Sequence, residues 1–198
     1  MFRFLLWLLV ICAVLFFWVI GATRRRARLR NAVRAAFAPL DELLLRQLIW
    51  MQGNLPEEMR GEVSSPAVLG DSVTVAWARL HAASEQFGHA LAATRANPLD
   101  AAASAALVLA HEAMHDTWCA TLAHAVPPDA TPSPERLQQR WMGLLMQAVP
   151  LRTAYNDAAT AYNHAIAQFP ANLLALLTRL RPAGTLTRLA ETPPHAAP

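Results

Sequence analysis

Lysine is absent from this chain, and cysteine (two), tyrosine (two) and glycine (seven) are scarce among its 198 residues, of which only 16% are charged. Each scarcity excludes something. Cys12 lies inside an apolar run and Cys119 on an expected helix, so a disulfide-stapled secreted scaffold is ruled out, and both read as reduced apolar residues. Without a glycine-rich turn there is no phosphate-cradling loop. No segment alternates apolar and polar residues, so no strand is expected. Neither a Ser/His/Asp nor a Cys/His arrangement suited to nucleophilic catalysis can be assembled; nothing electropositive neighbours Cys119 in sequence. The missing lysines, beside so much alanine and arginine, reflect coding bias rather than mechanism.

What is abundant is apolar: 55% of the residues are hydrophobic. Phe4 to Ala22 runs for 19 residues without a charge. As a helix it would be about 28 Å long, close to the thickness of a bilayer's hydrocarbon core. Trp7 and Trp18 stand toward its ends, where indoles favour the interface. Only Arg3 precedes the run, and Ile20 with Ala22 makes a poor cleavage site, so an uncleaved span is expected over a signal peptide. Arg24, Arg25, Arg26, Arg28, Arg30 and Arg34 follow at once. Such a collar holds its side of a span in the cytoplasm and lies against anionic headgroups. The expected location is therefore the bacterial inner membrane, single-pass, with residues 1–3 outside and the C-terminal domain cytoplasmic. Beyond Arg34 the remaining 10 basic residues face 14 acidic ones. The pI near 9.5 therefore belongs to the collar, and no nucleic-acid partner is expected.

After the 4–22 span, residues 23–180 read as one helical bundle domain. Val33, Phe37, Leu40, Leu44, Leu48 and Met51 step by three and four, so the first helix can continue straight out of the membrane helix, with Pro39 as a kink point. Residues 61–71 are rich in helix breakers. A second helix is expected from Ser72 to Arg95, with Val75, Ala78 or Arg79, Ala82, Phe87, Ala90 and Leu91 as its stripe and Asn97-Pro98 as its stop. A third runs from an Asp100 cap to about Ala123. Four prolines make 125–134 a linker, and Ser133 with Pro134 opens a fourth helix. A short amphipathic piece over 171–180 should fold over the bundle end, and 181–198 reads as a mostly disordered tail.

The fourth helix organises the rest. From Leu137, the residues Trp141, Leu144, Ala148, Leu151, Tyr155, Ala158, Tyr162, Ala165 and Phe169 alternate steps of four and three, an a/d seam widened by Leu145, Met146 and Ile166. Pro150 should kink it near Met146. The pairs Tyr155-Asn156 and Tyr162-Asn163 stand seven residues apart, so both tyrosines face the seam and both asparagines flank it. Each buried tyrosine hydroxyl needs a partner, and each asparagine can bridge to a neighbouring helix as a polar register pin. A ligand-reading face is the sharper alternative.

Arg152-x-x-Tyr155-Asn156-Asp157, then Tyr162-Asn163, then Phe169-Pro170-Ala171-Asn172-Leu173 with Ala175, resembles the C-terminal pattern of the LemA family. Arg30-Asn31-x-Val33, Ala36-Phe37, Leu40-Asp41, Leu44 and Arg46 resemble that family's first helix. Thr23-Arg24 stand where the family usually has a further Tyr-Asn pair, so the resemblance is to a divergent member. It implies a membrane helix followed by an antiparallel helical domain, and it carries no established biochemical activity.

One motif points elsewhere. His111-Glu112-Ala113-Met114-His115 matches the zinc-hydrolase pentapeptide, in which two histidines bind the metal and the glutamate activates its water. On a helical wheel His111 and His115 share the apolar face with Leu107, Met114, Trp118 and Leu122, whereas Glu112 falls at its edge and His124 on another face. A packed histidine pair is the plainer reading, and the pair could respond to pH near neutrality. The expectation is thus an all-α protein: a transmembrane helix and an up-and-down antiparallel bundle of about four helices. Functionally it reads as a non-enzymatic interaction or assembly module with the lipid bilayer and a protein partner or itself as partners. No cofactor, catalytic residue or small-molecule substrate is expected. The alternative is a membrane-bound zinc hydrolase using His111, Glu112 and His115.

Overall fold

Three breaks in periodicity divide the chain into four helices. A computed structural model describes residues 2–57, 72–168 and 181–187. It places α1 at Phe2–Gly53, α2 at Ser72–Ala96, α3 at Ala101–Ala125 and α4 at Pro134–Ala167. No strand occurs among the described residues. Asp100 caps α3 as its side chain accepts from the Ala102 amide at 2.9 Å. Ser133 precedes α4 without a side-chain cap bond, and Pro134 supplies the preset first turn. Pro39 and Pro150 both lie within uninterrupted helices. Each is exposed, so the carbonyl four residues earlier that loses its amide lies on the wet side of the helix.

Cross-bundle bonds give the topology. Along α1 and α4, Phe37 meets Tyr155 while Gln47 bonds Leu144, so rising numbers meet falling ones. Thr94 with Ala103 and Thr121 with Ala76 do the same for α2 and α3. Asp41 with Arg95 and Gln52 with Glu85 repeat it for α1 and α2, as do Ser104 with Tyr155 and Trp141 with His115 for α3 and α4. Every neighbouring pair is antiparallel, an up-down-up-down arrangement. Its main pairings are α2 on α3 and α1 on α4.

The α1 seam is buried as read, from Val33 to Met51. So is the α4 seam at Leu137, Trp141, Leu144, Ala148, Tyr155, Tyr162 and Ala165, with Leu145 and Ile166 beside it. Met146 is a correction: it is 65% exposed rather than part of the core. A second correction is the stripe of α2. Leu80, Ala83, Phe87, Leu91 and the hydroxyl residues Ser84 and Thr94 are buried, whereas Arg79 and Ala82 face out. Small side chains hid that register, because Ser84 and Thr94 return their hydroxyls to Leu80 and Ala90 carbonyls and so count as apolar.

Upstream of the bundle α1 continues to Phe2. Phe4 (74%), Leu6, Trp7 (66%) and Leu9 are exposed there. Among the described residues no helix is long and apolar enough to cross a membrane. Many side chains of the expected 4–22 span, Val14 to Val19 among them, lie outside those described. In the collar, Arg24, Arg25, Arg28, Arg30 and Arg34 are exposed as expected. Arg26 departs from that pattern: it is buried, and its Nε and Nη2 have no hydrogen-bond partner.

Candidate functional site

Two polar clusters interrupt the bundle core. The first surrounds the HEAMH residues. His111, on α3, places Nε2 3.2 Å from Gln47 Oε1 of α1, while Gln47 Nε2 donates to the Leu144 carbonyl of α4 at 3.0 Å. A carbonyl only accepts, so the amide group beside it must be the NH₂. That turns Oε1 toward His111 and makes His111 Nε2 a donor. One turn on, Trp141 Nε1 donates to His115 Nδ1 at 2.8 Å. An indole nitrogen only donates, so His115 Nδ1 must be unprotonated and the proton sits on Nε2, which faces Cys119 Sγ at 3.8 Å. His115 is therefore neutral in this arrangement.

Rings enclose the pair. Trp141 stacks on His111 and His115 with centroids 6.2 and 6.1 Å apart, Phe87 sets its ring against His111 at 5.5 Å, and Trp50 spans Trp118 at 5.2 Å and Trp141 at 6.0 Å. Burial, and secondly the neighbouring His115, together lower the His111 pKa to about 3. Burial also lowers His115, against a raising contribution from Asp116. Cys119 is a free thiol pushed up by burial, the opposite of an activated nucleophile. Glu112 is half-buried at the edge of the face and His124 is exposed. Among the described residues, no group of three or more His, Cys, Asp or Glu is placed to hold a metal ion.

Gln47, which joins three helices here, escaped the sequence reading. Its signal was present: Leu40, Leu44, Gln47 and Met51 alternate four, three and four, so a strict a/d register puts Gln47 in the seam.

The second cluster is built on the Tyr-Asn repeat. Tyr155 is fully buried, and its hydroxyl donates between the Pro98 carbonyl at 2.7 Å and the Gly184 carbonyl at 3.1 Å, with Ser104 Oγ 3.4 Å away. Burial raises its pKa. Asn163 Nδ2 donates to the Ala183 carbonyl at 2.9 Å while its Oδ1 accepts the Ala183 amide at 2.7 Å. Asn156 Oδ1 accepts the Leu186 amide at 2.7 Å, and Arg152 Nη1 donates to the Thr187 carbonyl at 3.1 Å. The asparagines thus grip not a neighbouring helix but an extended piece of the chain's own tail. This revises the tail reading over 181–187, where Ala183 and Leu186 are buried. A residue-by-residue periodicity search cannot see such a segment, because its order is imposed by hydrogen bonds from α4. Of the remaining LemA-like residues, Arg30 and Asn31 are exposed, Tyr162 is buried, and Phe169 and Pro170 lie outside the described residues.

Between α2 and α3 an open groove of about 660 Å³ is lined by Arg79, Asp116, Thr117, Thr121 and His124 among others. It is separate from both clusters. No family model, no curated protein and no solved structure matches the chain.

Proposed function

We propose that this protein is a membrane-anchored helical assembly module of LemA-like type, without catalytic chemistry of its own, that works by contacting a protein partner or further copies of itself at the inner membrane. The observation that supports the anchoring is the apolar N-terminal part of α1. It leaves Phe4, Leu6, Trp7 and Leu9 exposed beyond the bundle. An exposed apolar surface of this kind calls for an apolar environment, and the 19-residue uncharged run with its arginine collar is of a length and flanking charge that a bilayer supplies. The LemA resemblance of the α4 pattern agrees with the same architecture.

The commitment of the polar groups argues for assembly rather than reaction. His111 is engaged by Gln47 and His115 by Trp141, in stacked rings, so the two HEAMH nitrogens are used to join α1, α3 and α4. A zinc hydrolase would have to break both bonds and find a third ligand. Elemental analysis of purified protein separates the readings: stoichiometric zinc would restore the enzyme. For the anchor, membranes carrying the full chain are washed with alkaline carbonate. The chain is expected to stay in the pellet, and a Leu9→Arg/Val10→Arg variant to shift to the wash. Release of the unaltered chain would remove the anchoring reading. Crosslinking in detergent extracts should then recover a multimer or partner complex, and a strictly solitary monomer would remove the assembly reading.

A further inference from the structure

The Tyr-Asn face of α4 has the make-up of a peptide-reading groove. What it holds is an extended backbone, gripped at residue after residue: the amide and carbonyl of Ala183, the carbonyl of Gly184, the amide of Leu186 and the carbonyl of Thr187. The spacing explains the repeat. Seven residues of helix rise about 10.5 Å, and three residues of extended chain span about 10 Å. Asn163 and Asn156 therefore fall opposite Ala183 and Leu186 without strain, the chain running antiparallel to α4. Side-chain amides here do what a sheet edge does when it accepts an added strand.

Selectivity comes from the occupant's side chains. Ala183 (5% exposed) and Leu186 (0%) enter the core, so the groove takes a small residue and, three later, an aliphatic one. Between them Gly184 passes so close to α3 that an added Cβ would lie 2.7 Å from Ser104 Cβ and 2.8 Å from Ala101 Cα. Backbone at Ala101 cannot yield, so only glycine passes. The reading is small–Gly–x–aliphatic in extended form.

We infer that this groove takes the 181–187 segment in trans from a second copy as well as in cis, exchanging tails between anchored chains. The inference rests on the assembly reading above and gives it a contact. Two buried side chains and a short set of hydrogen bonds hold the segment, a contact that a second copy's tail can reproduce group for group, and anchoring in one bilayer raises the concentration of neighbouring tails. The occupant is committed by what is seated there: this sequence fits because it is already bound.

Two full-length variants separate tail from groove. Gly184→Val keeps the groove and expels its own tail, whereas Asn156→Ala/Asn163→Ala keeps the tail and loses the groove. Differently tagged, each purified in mild detergent and then mixed, they are expected to form a heteromer that neither forms alone. A labelled peptide, Arg-Pro-Ala-Gly-Thr-Leu-Thr, should bind the Gly184→Val chain about tenfold more tightly than the unaltered chain, whose tail competes, and should not bind the double-asparagine variant. Absence of the heteromer overturns the exchange, and peptide binding indifferent to the asparagines overturns the groove. If both variants self-associate as the unaltered chain does, assembly uses another face: this inference falls while the assembly reading stands.

Discussion

At the scale of single residues, donors that can only donate fix the chemistry of the histidine pair. The Trp141 indole obliges His115 to present a bare Nδ1, and Gln47, oriented by the Leu144 carbonyl, obliges His111 to donate. The first bond keeps His115 neutral, burial does the same for His111, and a pH dependence follows. An unfolded histidine titrates near 6.5, whereas His111 in the fold stays neutral down to about 3. Below pH 6.5 the unfolded chain takes up a proton that the folded chain refuses, so stability is complete above that pH and falls as pH drops. Between pH 6.5 and 5 the loss for one such residue is about 2 kcal/mol. The faces packed around it are Gln47, Phe87 and Trp141, none of them a carboxylate that would stabilise the imidazolium. His111→Gln keeps an N–H for Gln47 and removes the titration. Urea midpoints at pH 7.5 and 5 should therefore lie closer together in that variant than in the unaltered chain; an equal gap in both would contradict the assignment.

Elements show where local rules were overridden. Pro150 sits inside α4 on its exposed side. Replacing it with alanine should raise stability by about 2 kcal/mol, the ~3 kcal/mol penalty of an interior proline less the ~1 kcal/mol its stiffness takes from the unfolded chain. Thermal denaturation checks this, and a lowered midpoint would mean the proline itself is needed for packing. The tail is the opposite case, order without local propensity. Asn163→Ala removes the partner of both Ala183 backbone groups. Amide exchange at Ala183 and Leu186 should accelerate at least tenfold while α1 and α3 amides keep their protection, because a terminal segment opens independently of the core. The α4 seam was legible because bulky residues mark it. That of α2 was not, because alanine, serine and threonine on both faces leave little contrast.

For the whole molecule, the bundle and its apolar extension form one architecture through α1, a helix of 52 residues against 25, 25 and 34 in its partners. Among the described residues its apolar packing into the bundle core runs from Leu29 and Val33 onward. The arginines between the two parts set the expected orientation. A reporter that matures only in the cytoplasm, fused after Pro198, should be active. Exchanging Arg24, Arg25 and Arg28 for serine while adding arginines ahead of Phe4 should silence it, and an inactive reporter on the unaltered chain would reverse the proposed topology.

The sequence by itself determined the helices, the two long seams, the faces of both tyrosines and both histidines, and the uncharged run with its collar. Those properties are periodic or compositional, so they are written along one strand of text. Only tertiary structure decided what the polar groups do: that His111 and His115 are locked by Gln47 and Trp141, and that the asparagines clasp residues 181–187 rather than a helix. Hydrogen-bond partners 20 to 64 residues apart are chosen by geometry across the bundle. A heptad on one element matching three extended residues on another has no counterpart in either segment alone.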